Sequence, residues 1–360
     1  MKKSILLTIF DLSVFGGTER AVINLTKMFQ ACNVNITILS FYKQNEILYF
    51  QIPENIQIKY IGNTPPRHEN SLFYKNKYLK FFKYAYLSLK WSKFINSFDV
   101  VISNDYDILI PLLKNKKTKY IKILHGNYTN TYKSCKVLNF FDTIVILCSK
   151  EIDFYKKYFH KQIEIIPNFL PKIPNISSNL NNKIVLAVGR FSHEKGFLRL
   201  IEIWEILQKK ESYYEEWTLH IVGDGYLKKE IQEKINKKNL QKSIILKPFT
   251  KEIEKEYLKA SIYAMTSYYE GFPMVLLESF SYQIPAIAFD INTGPSDIID
   301  NEKSGFLIKD GDLNEFANKL CLLMDDENLR KEFGKNAKAK VEENFSSQQI
   351  LKLWKSVLKI

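Results

Sequence analysis

The sequence predicts two α/β units, each built on a parallel sheet, and three observations carry that expectation. Short apolar runs alternate with longer helical ones from end to end. The rhythm breaks once, in a Pro/Asn/Ser-rich stretch from Pro167 to Asn182, and restarts at Lys183. A chain of 360 residues is also too long for one ordinary core. The expected limits are 1–170 for the first unit and 171–345 for the second, with 346–360 a last amphipathic helix reaching back to the first.

In the first unit the rhythm opens with a strand over Ile5–Ile9, a helix over Glu19–Cys32 and a strand over Asn35–Phe41. The loop between them, Asp11 to Arg20, carries Gly16 and Gly17 just before the helix, where backbone can approach a phosphate or sugar; Thr18 is the expected cap. Leu72–Phe94 holds six lysines and no acid. At helical spacing Tyr78, Phe81, Phe82, Ala85 and Leu89 share one face and Lys75, Lys80, Lys83, Lys90 and Lys93 another, a pattern suited either to packing on its own domain or to an anionic membrane surface. The strand Val100–Ser103 runs into Asn104-Asp105-Tyr106-Asp107, an acidic turn for which a metal role is the minor reading. Ile121–Leu124 delivers His125 to a strand end, the edge that faces ligands in a parallel sheet.

The second unit starts with Lys183–Val188, then Gly189-Arg190 and Lys195-Gly196 before a helix near Phe197. A forked guanidinium and a point ammonium beside a helix start form an anion site that needs no metal. The strand Thr218–Val222 ends in Gly223-Asp224-Gly225; Ile244–Phe249, a helix over Glu252–Lys259 and the strand Ile262–Met265 follow. The stretch Ser267 to Ser279 organises the rest: a loop ending in Glu270-Gly271-Phe272-Pro273 runs into a helix near Met274. Open N–H groups face outward there, with Glu278 about two turns on, so two carboxylates can hydrogen-bond hydroxyls of one ligand. Later come the strand Pro285–Phe289, the loop Gly294-Pro295-Ser296, the strand Gly305–Ile308 and helices over Leu313–Met324 and Asn328–Asn344.

Charge and composition narrow the function. The net charge of +13 lies almost wholly in the first 170 residues, where 24 Lys+Arg face 12 Asp+Glu, so that half should meet something anionic. The lysines are interleaved with strands and no nucleic-acid recognition motif is present, which argues against nucleic acid as the partner. No apolar run is long enough to cross a bilayer, and the first apolar run stops at Asp11, short for an export signal. With Cys32, Cys135, Cys148 and Cys321 lacking metal-type spacing, the expectation is a cytoplasmic protein with reduced thiols, peripheral at most on the inner membrane face.

Taken together, Gly16-Gly17-Thr18-Glu19-Arg20, Val188-Gly189-Arg190 with Lys195-Gly196, Gly223-Asp224-Gly225, and Glu270-Gly-Phe-Pro with Glu278 resemble the retaining glycosyltransferases of family 4, in this order and over nearly the whole chain. The resemblance implies the GT-B fold: two facing Rossmann-like domains, with the nucleotide sugar held by the second and the acceptor by the first. It implies that Arg190 and Lys195 hold the donor diphosphate, that Glu278 binds the ribose, and that Glu270 with the backbone of Gly271, Phe272, Pro273 and Met274 addresses the sugar. It places Gly16 and Gly17 by the diphosphate, His125 on the transferred sugar, and Phe249 and Thr250 by the base. His125, Glu270, Arg190 and Lys195 are the residues expected to be catalytic, without metal or other cofactor. Gly294-Pro295-Ser296 resembles a loop of capsule and lipopolysaccharide members. The expected reaction takes a sugar from a nucleotide sugar, UDP-linked, to a glycan or lipid-linked acceptor. A nucleotide-sugar epimerase of the same fold and a non-catalytic partner subunit are the alternatives.

Overall fold

The computed structural model describes residues 2–62, 77–104, 114–126, 135–210 and 216–360. The acidic turn at Asp105 and Asp107 lies outside them. The chain forms two compact units, one of residues 1–147, 151–167 and 350–360, the other of residues 148–150 and 168–349.

Unit 1 contains one sheet of β1 (Lys3–Asp11), β2 (Val34–Tyr42), β3 (Gln57–Tyr60), β4 (Val100–Ser103), β5 (Lys119–Leu124), β6 (Thr143–Ile146) and β7 (Gln162–Ile165), all parallel, in the order β3-β2-β1-β4-β5-β6-β7. The inner strands are continuous apolar runs because helices cover both faces, and Ile5 to Leu7, Ile102, Ile121 and Ile144 are fully buried. Strand β3 went unseen in the sequence. It is a short edge strand with a half-exposed pattern, which leaves no apolar run to find.

Two local expectations are corrected here. The first helix is Gly17–Gln30 with Gly16 as its N-cap, so Thr18 lies inside the first turn and caps nothing. The helix Lys77–Ile95 buries a different face from the one expected. Leu87, Trp91, Phe94 and, just past its end, Phe98 pack on the core around Leu6, Leu39 and Tyr120, while Phe82, Tyr86 and Leu89 are 66%, 63% and 58% exposed. The step from Leu87 to Phe98 is a continuous helical stripe, and it outcompetes the aromatic one because it meets the sheet. Lys90 and Lys93 are exposed on the same helix.

The C-terminal helix Ser347–Leu358 belongs to this unit from Ile350 onward. Trp354 meets Phe29 edge-on at 5.5 Å. Its last carbonyls are capped by ammonium groups rooted in the sheet, Lys3 Nζ on Leu358 O at 2.6 Å and Lys119 Nζ on Val357 O at 2.8 Å.

Unit 2 repeats the plan with β8 (Ile184–Val188), β9 (Thr218–Val222), β10 (Ile244–Lys247), β11 (Ile262–Met265), β12 (Ala286–Asp290) and β13 (Gly305–Lys309), parallel and ordered β10-β9-β8-β11-β12-β13. The stretch read as a linker is fastened to this unit: Ser178 N donates to Tyr282 O at 2.8 Å and Ser178 Oγ to Ala260 O at 2.5 Å. Both sheets change direction of strand order once, between β1 and β4 and between β8 and β11. In open parallel sheets the crevice beyond the strand ends at such a switch point is where ligands bind.

Candidate functional site

In unit 2 the two loops at the switch point carry the residues singled out from sequence. Gly189 and Arg190 leave β8 and a single tight turn, His193–Lys195, precedes the helix Phe197–Gln208. Thr266 to Glu270 leave β11 and lead through Gly271 and Phe272 into the helix Met274–Ser281, whose N-cap is Pro273. Lys195 Nζ meets Glu270 Oε1 at 2.6 Å, and Ser267 Oγ donates to the same carboxylate oxygen at 2.7 Å. The sequence thus brings an ammonium and a carboxylate 75 residues apart into contact.

Glu278 joins the group through phenols. Tyr257 donates its hydroxyl to Glu278 Oε2 at 2.8 Å. Tyr263, in β11, sets its hydroxyl against the Val188 backbone, 3.3 Å from both N and O. Burial raises the Tyr263 phenol well above its usual range, a hydrogen bond with the Val188 backbone opposes this, and the charges of Glu278 and Glu270 push it further up. Both carboxylates therefore act on one hydroxyl beside the end of β8.

Arg190 is exposed and, among the described residues, its guanidinium has no hydrogen-bonded partner. It acts with Lys195 on Glu194: burial pushes that carboxyl up, but the Ser192 hydroxyl, a backbone N–H and the two cations outweigh it, and the net shift is downward. Phe249 is 51% exposed beyond β10, and Thr250 Oγ1 accepts from Glu252 N at 3.0 Å, an ordinary turn.

Sequence reasoning missed what holds the loops in register. Arg199, 6% exposed, donates Nε to Thr266 O at 2.6 Å, a second N–H to Ser267 O, and Nη1 to Asp310 Oδ1 at 2.7 Å. Its guanidinium lies between the rings of Tyr268 and Phe289, 4.0 and 4.1 Å from their centroids, and Tyr268 stacks in turn on His193 at 4.9 Å. The signal was present: a lone cation in the apolar segment Phe-Leu-Arg-Leu-Ile of a buried helix needs partners. Thr293 Oγ1 donates to Glu270 O at 2.5 Å, and Gly294, at φ 101°, sits so near Pro273 that an added Cβ would lie 2.4 Å from its Cδ. The Gly294-Pro295-Ser296 loop therefore braces the helix start. Cys148 Sγ donates to Gly271 O at 3.0 Å.

In unit 1 the matching strand ends hold Gly16, Gly17, Asn104 and His125. A Cβ on Gly17 would meet nothing within 4 Å, so the space beside it is open. His125 Nε2 lies 2.9 Å from Asn104 Oδ1. Burial and the nearby Lys122 charge lower the ring's pKa to about 3. A histidine depressed in the folded state contributes stability above its unfolded pKa near 6.5, and that stability is lost as pH falls toward 3. Unit 1 should thus lose roughly 2 kcal/mol between pH 7.5 and pH 5 through this group. Urea titrations at both values check this, and His125→Gln should remove that share of the loss.

The model of the family described as glycosyl transferases group 1 matches residues 145–340. The chain is similar, at 30% identity over 98% of its length and 99% of the relative's, to the amylovoran biosynthesis glycosyltransferase AmsD of Erwinia amylovora. It is 26% identical, over 94% of both chains, to the GalNAc-alpha-(1->4)-GalNAc-alpha-(1->3)-diNAcBac-PP-undecaprenol alpha-1,4-N-acetyl-D-galactosaminyltransferase of Campylobacter jejuni. Among solved structures, S. aureus TarM, crystallised with fondaparinux, alpha-GlcNAc-glycerol and UDP, superposes with a TM-score of 0.82 at 18% identity, covering 99% of this chain and all of that one. That likeness is one of fold.

Proposed function

The chain belongs to the group 1 glycosyl transferases, and from that premise we propose that it moves a sugar, with retention of configuration, from a UDP-linked donor to a glycan carried on a lipid during cell-surface polysaccharide assembly. It is a glycosyltransferase of the GT-B fold, as expected, and neither the epimerase nor the partner-subunit alternative is favoured. The observation that carries the proposal is the contact of Lys195 with Glu270 at the switch point of unit 2. UDP and an undecaprenol-linked acceptor appear in the names of the similar proteins and support the donor and acceptor classes.

In this reading the Arg190 guanidinium and the Lys195 ammonium meet the diphosphate and stabilise the charge that grows on it as the sugar leaves. Lys195 has three N–H donors and spends one on Glu270, leaving two for phosphate oxygens. Glu278, oriented by Tyr257, accepts from the ribose hydroxyls. Glu270, with the open N–H groups of the Met274–Ser281 helix start, positions the sugar. The acceptor hydroxyl attacks on the face the diphosphate leaves, and a departing phosphate oxygen takes its proton. Phe249 offers an exposed ring to the base. Fixed cations serve in place of a metal, so transfer should persist in EDTA; its collapse would assign the phosphates to a metal instead.

Glu278→Ala tests the donor side. A panel of nucleotide sugars should raise the melting temperature of the wild type for the cognate donor, and the variant should lose that rise and at least tenfold in kcat/KM. An unchanged response would remove Glu278 from the site. On the acceptor side, Phe82, Tyr86 and Leu89 beside Lys90 and Lys93 are suited to an anionic bilayer surface. Binding to phosphatidylglycerol vesicles, absent with phosphatidylcholine, should weaken several-fold in a Phe82→Ser, Leu89→Ser double variant; equal flotation with both lipids would sink this part.

A further inference from the structure

The ends of β4 and β5 carry a pair whose hydrogen atoms can be placed from chemistry alone. Asn104, 3% exposed, donates its backbone N to Thr8 O at 3.2 Å and its side-chain Nδ2 to Thr8 O at 3.1 Å, with Ile102 O at 3.4 Å. Carbonyl oxygens only accept, so the amide nitrogen must face them and Oδ1 must face the other way. Oδ1 is the atom 2.9 Å from His125 Nε2, and it too only accepts. Nε2 therefore bears the hydrogen. A neutral ring has a single N–H, which leaves Nδ1 as a lone pair. Asn104 is the ring's hydrogen-bond partner among the described residues, so that lone pair is left for something outside them.

We propose that Asn104 is a positioning residue that locks His125 as the Nε2–H tautomer, so that Nδ1 accepts a hydrogen bond from a hydroxyl of the bound sugar. The hydroxyl half of this rests on the sugar-transfer reading above; the tautomer does not. Lys122, 2% exposed in β5, is the charged group that acts on the ring, and with burial it keeps the imidazole neutral across the working pH range. The consequence is selective. A lone pair repels phosphate and carboxylate oxygens, so this position takes an O–H or N–H donor and refuses an anion.

The tautomer is read from nitrogen NMR of protein labelled at its five histidines, with His125 assigned by loss of its signals in His125→Gln. At pH 7 its Nε2 should be protonated and its Nδ1 bare; an imidazolium, or a proton on Nδ1, overturns the proposal. With that assignment the wild-type spectrum settles this whether or not Asn104→Leu folds. In Asn104→Leu the two tautomers should mix and kcat should fall roughly tenfold or more with little change in donor KM. A series of monodeoxy donors completes the test. One of them should lose about tenfold in kcat/KM with the wild type and lose nothing further with Asn104→Leu. Equal losses in both proteins would refute the contact. The expected spectrum with no transfer from any donor would refute the transfer reading and the hydroxyl contact together, leaving the tautomer in place.

Discussion

Replacing Lys195 by Met should lower kcat/KM about 10²–10³-fold while the protein unfolds within a few degrees of the wild type. The two halves of this expectation have separate causes. Lys195 ends a short turn with its side chain 23% exposed, and its ion pair with Glu270 contributes at most about 1 kcal/mol at such a place. Glu270 keeps the Ser267 hydroxyl when the ammonium goes, so no charge is stranded without a partner. A developing diphosphate charge loses one of the two cations assigned to it, Arg190 being the other. Initial rates with a radiolabelled donor and calorimetry on one preparation measure both halves. Full activity in the variant would sink the assignment of the anion site.

Much of this arrangement was legible in the chain, and the parts that were not have physical reasons. Parallel strands buried on both faces announce themselves as apolar runs, which is how β4, β9 and β11 were placed to the residue. The strand ends then put Gly16, Gly17, His125, Arg190, Lys195 and Glu270 at loops, since a parallel sheet offers no other place for them. What stayed hidden was pairing across sequence. Nothing local says that Glu270 meets Lys195 or that Tyr263 feels two carboxylates, because those contacts depend on the order in which strands assemble. The helix Lys77–Ile95 failed for a related cause: it carries two apolar stripes, and only the sheet decides between them. Asn104 was passed over as the start of an acidic turn, although a buried amide between two strand ends has stricter demands than the acids after it.

Gly196→Ala should destabilise unit 2 by about 3 kcal/mol and abolish transfer. Gly196 adopts φ 66° and ψ 25°, left-handed values that cost a residue with a Cβ about 1 kcal/mol. The added carbon would also lie 1.9 Å from Thr266 O and 3.0 Å from Arg199 Nε, and the first of these is backbone that cannot rotate away. Thr266 is bound at both ends of this contact: its hydroxyl donates to Gly196 O at 3.0 Å, and its carbonyl accepts from Arg199 at 2.6 Å. Relieving the clash must move the loop after β11 away from the turn after β8, which separates Glu270 from Lys195. Chemical denaturation together with donor-induced stabilisation measures the two effects on one sample. Gly17→Ala is the control, since its new carbon meets no atom within 4 Å and should leave the unfolding midpoint where it was. A Gly196→Ala protein as stable and active as the wild type would mean that the two loops are not held in register by this contact, and that the Lys195 and Glu270 pairing does not depend on it.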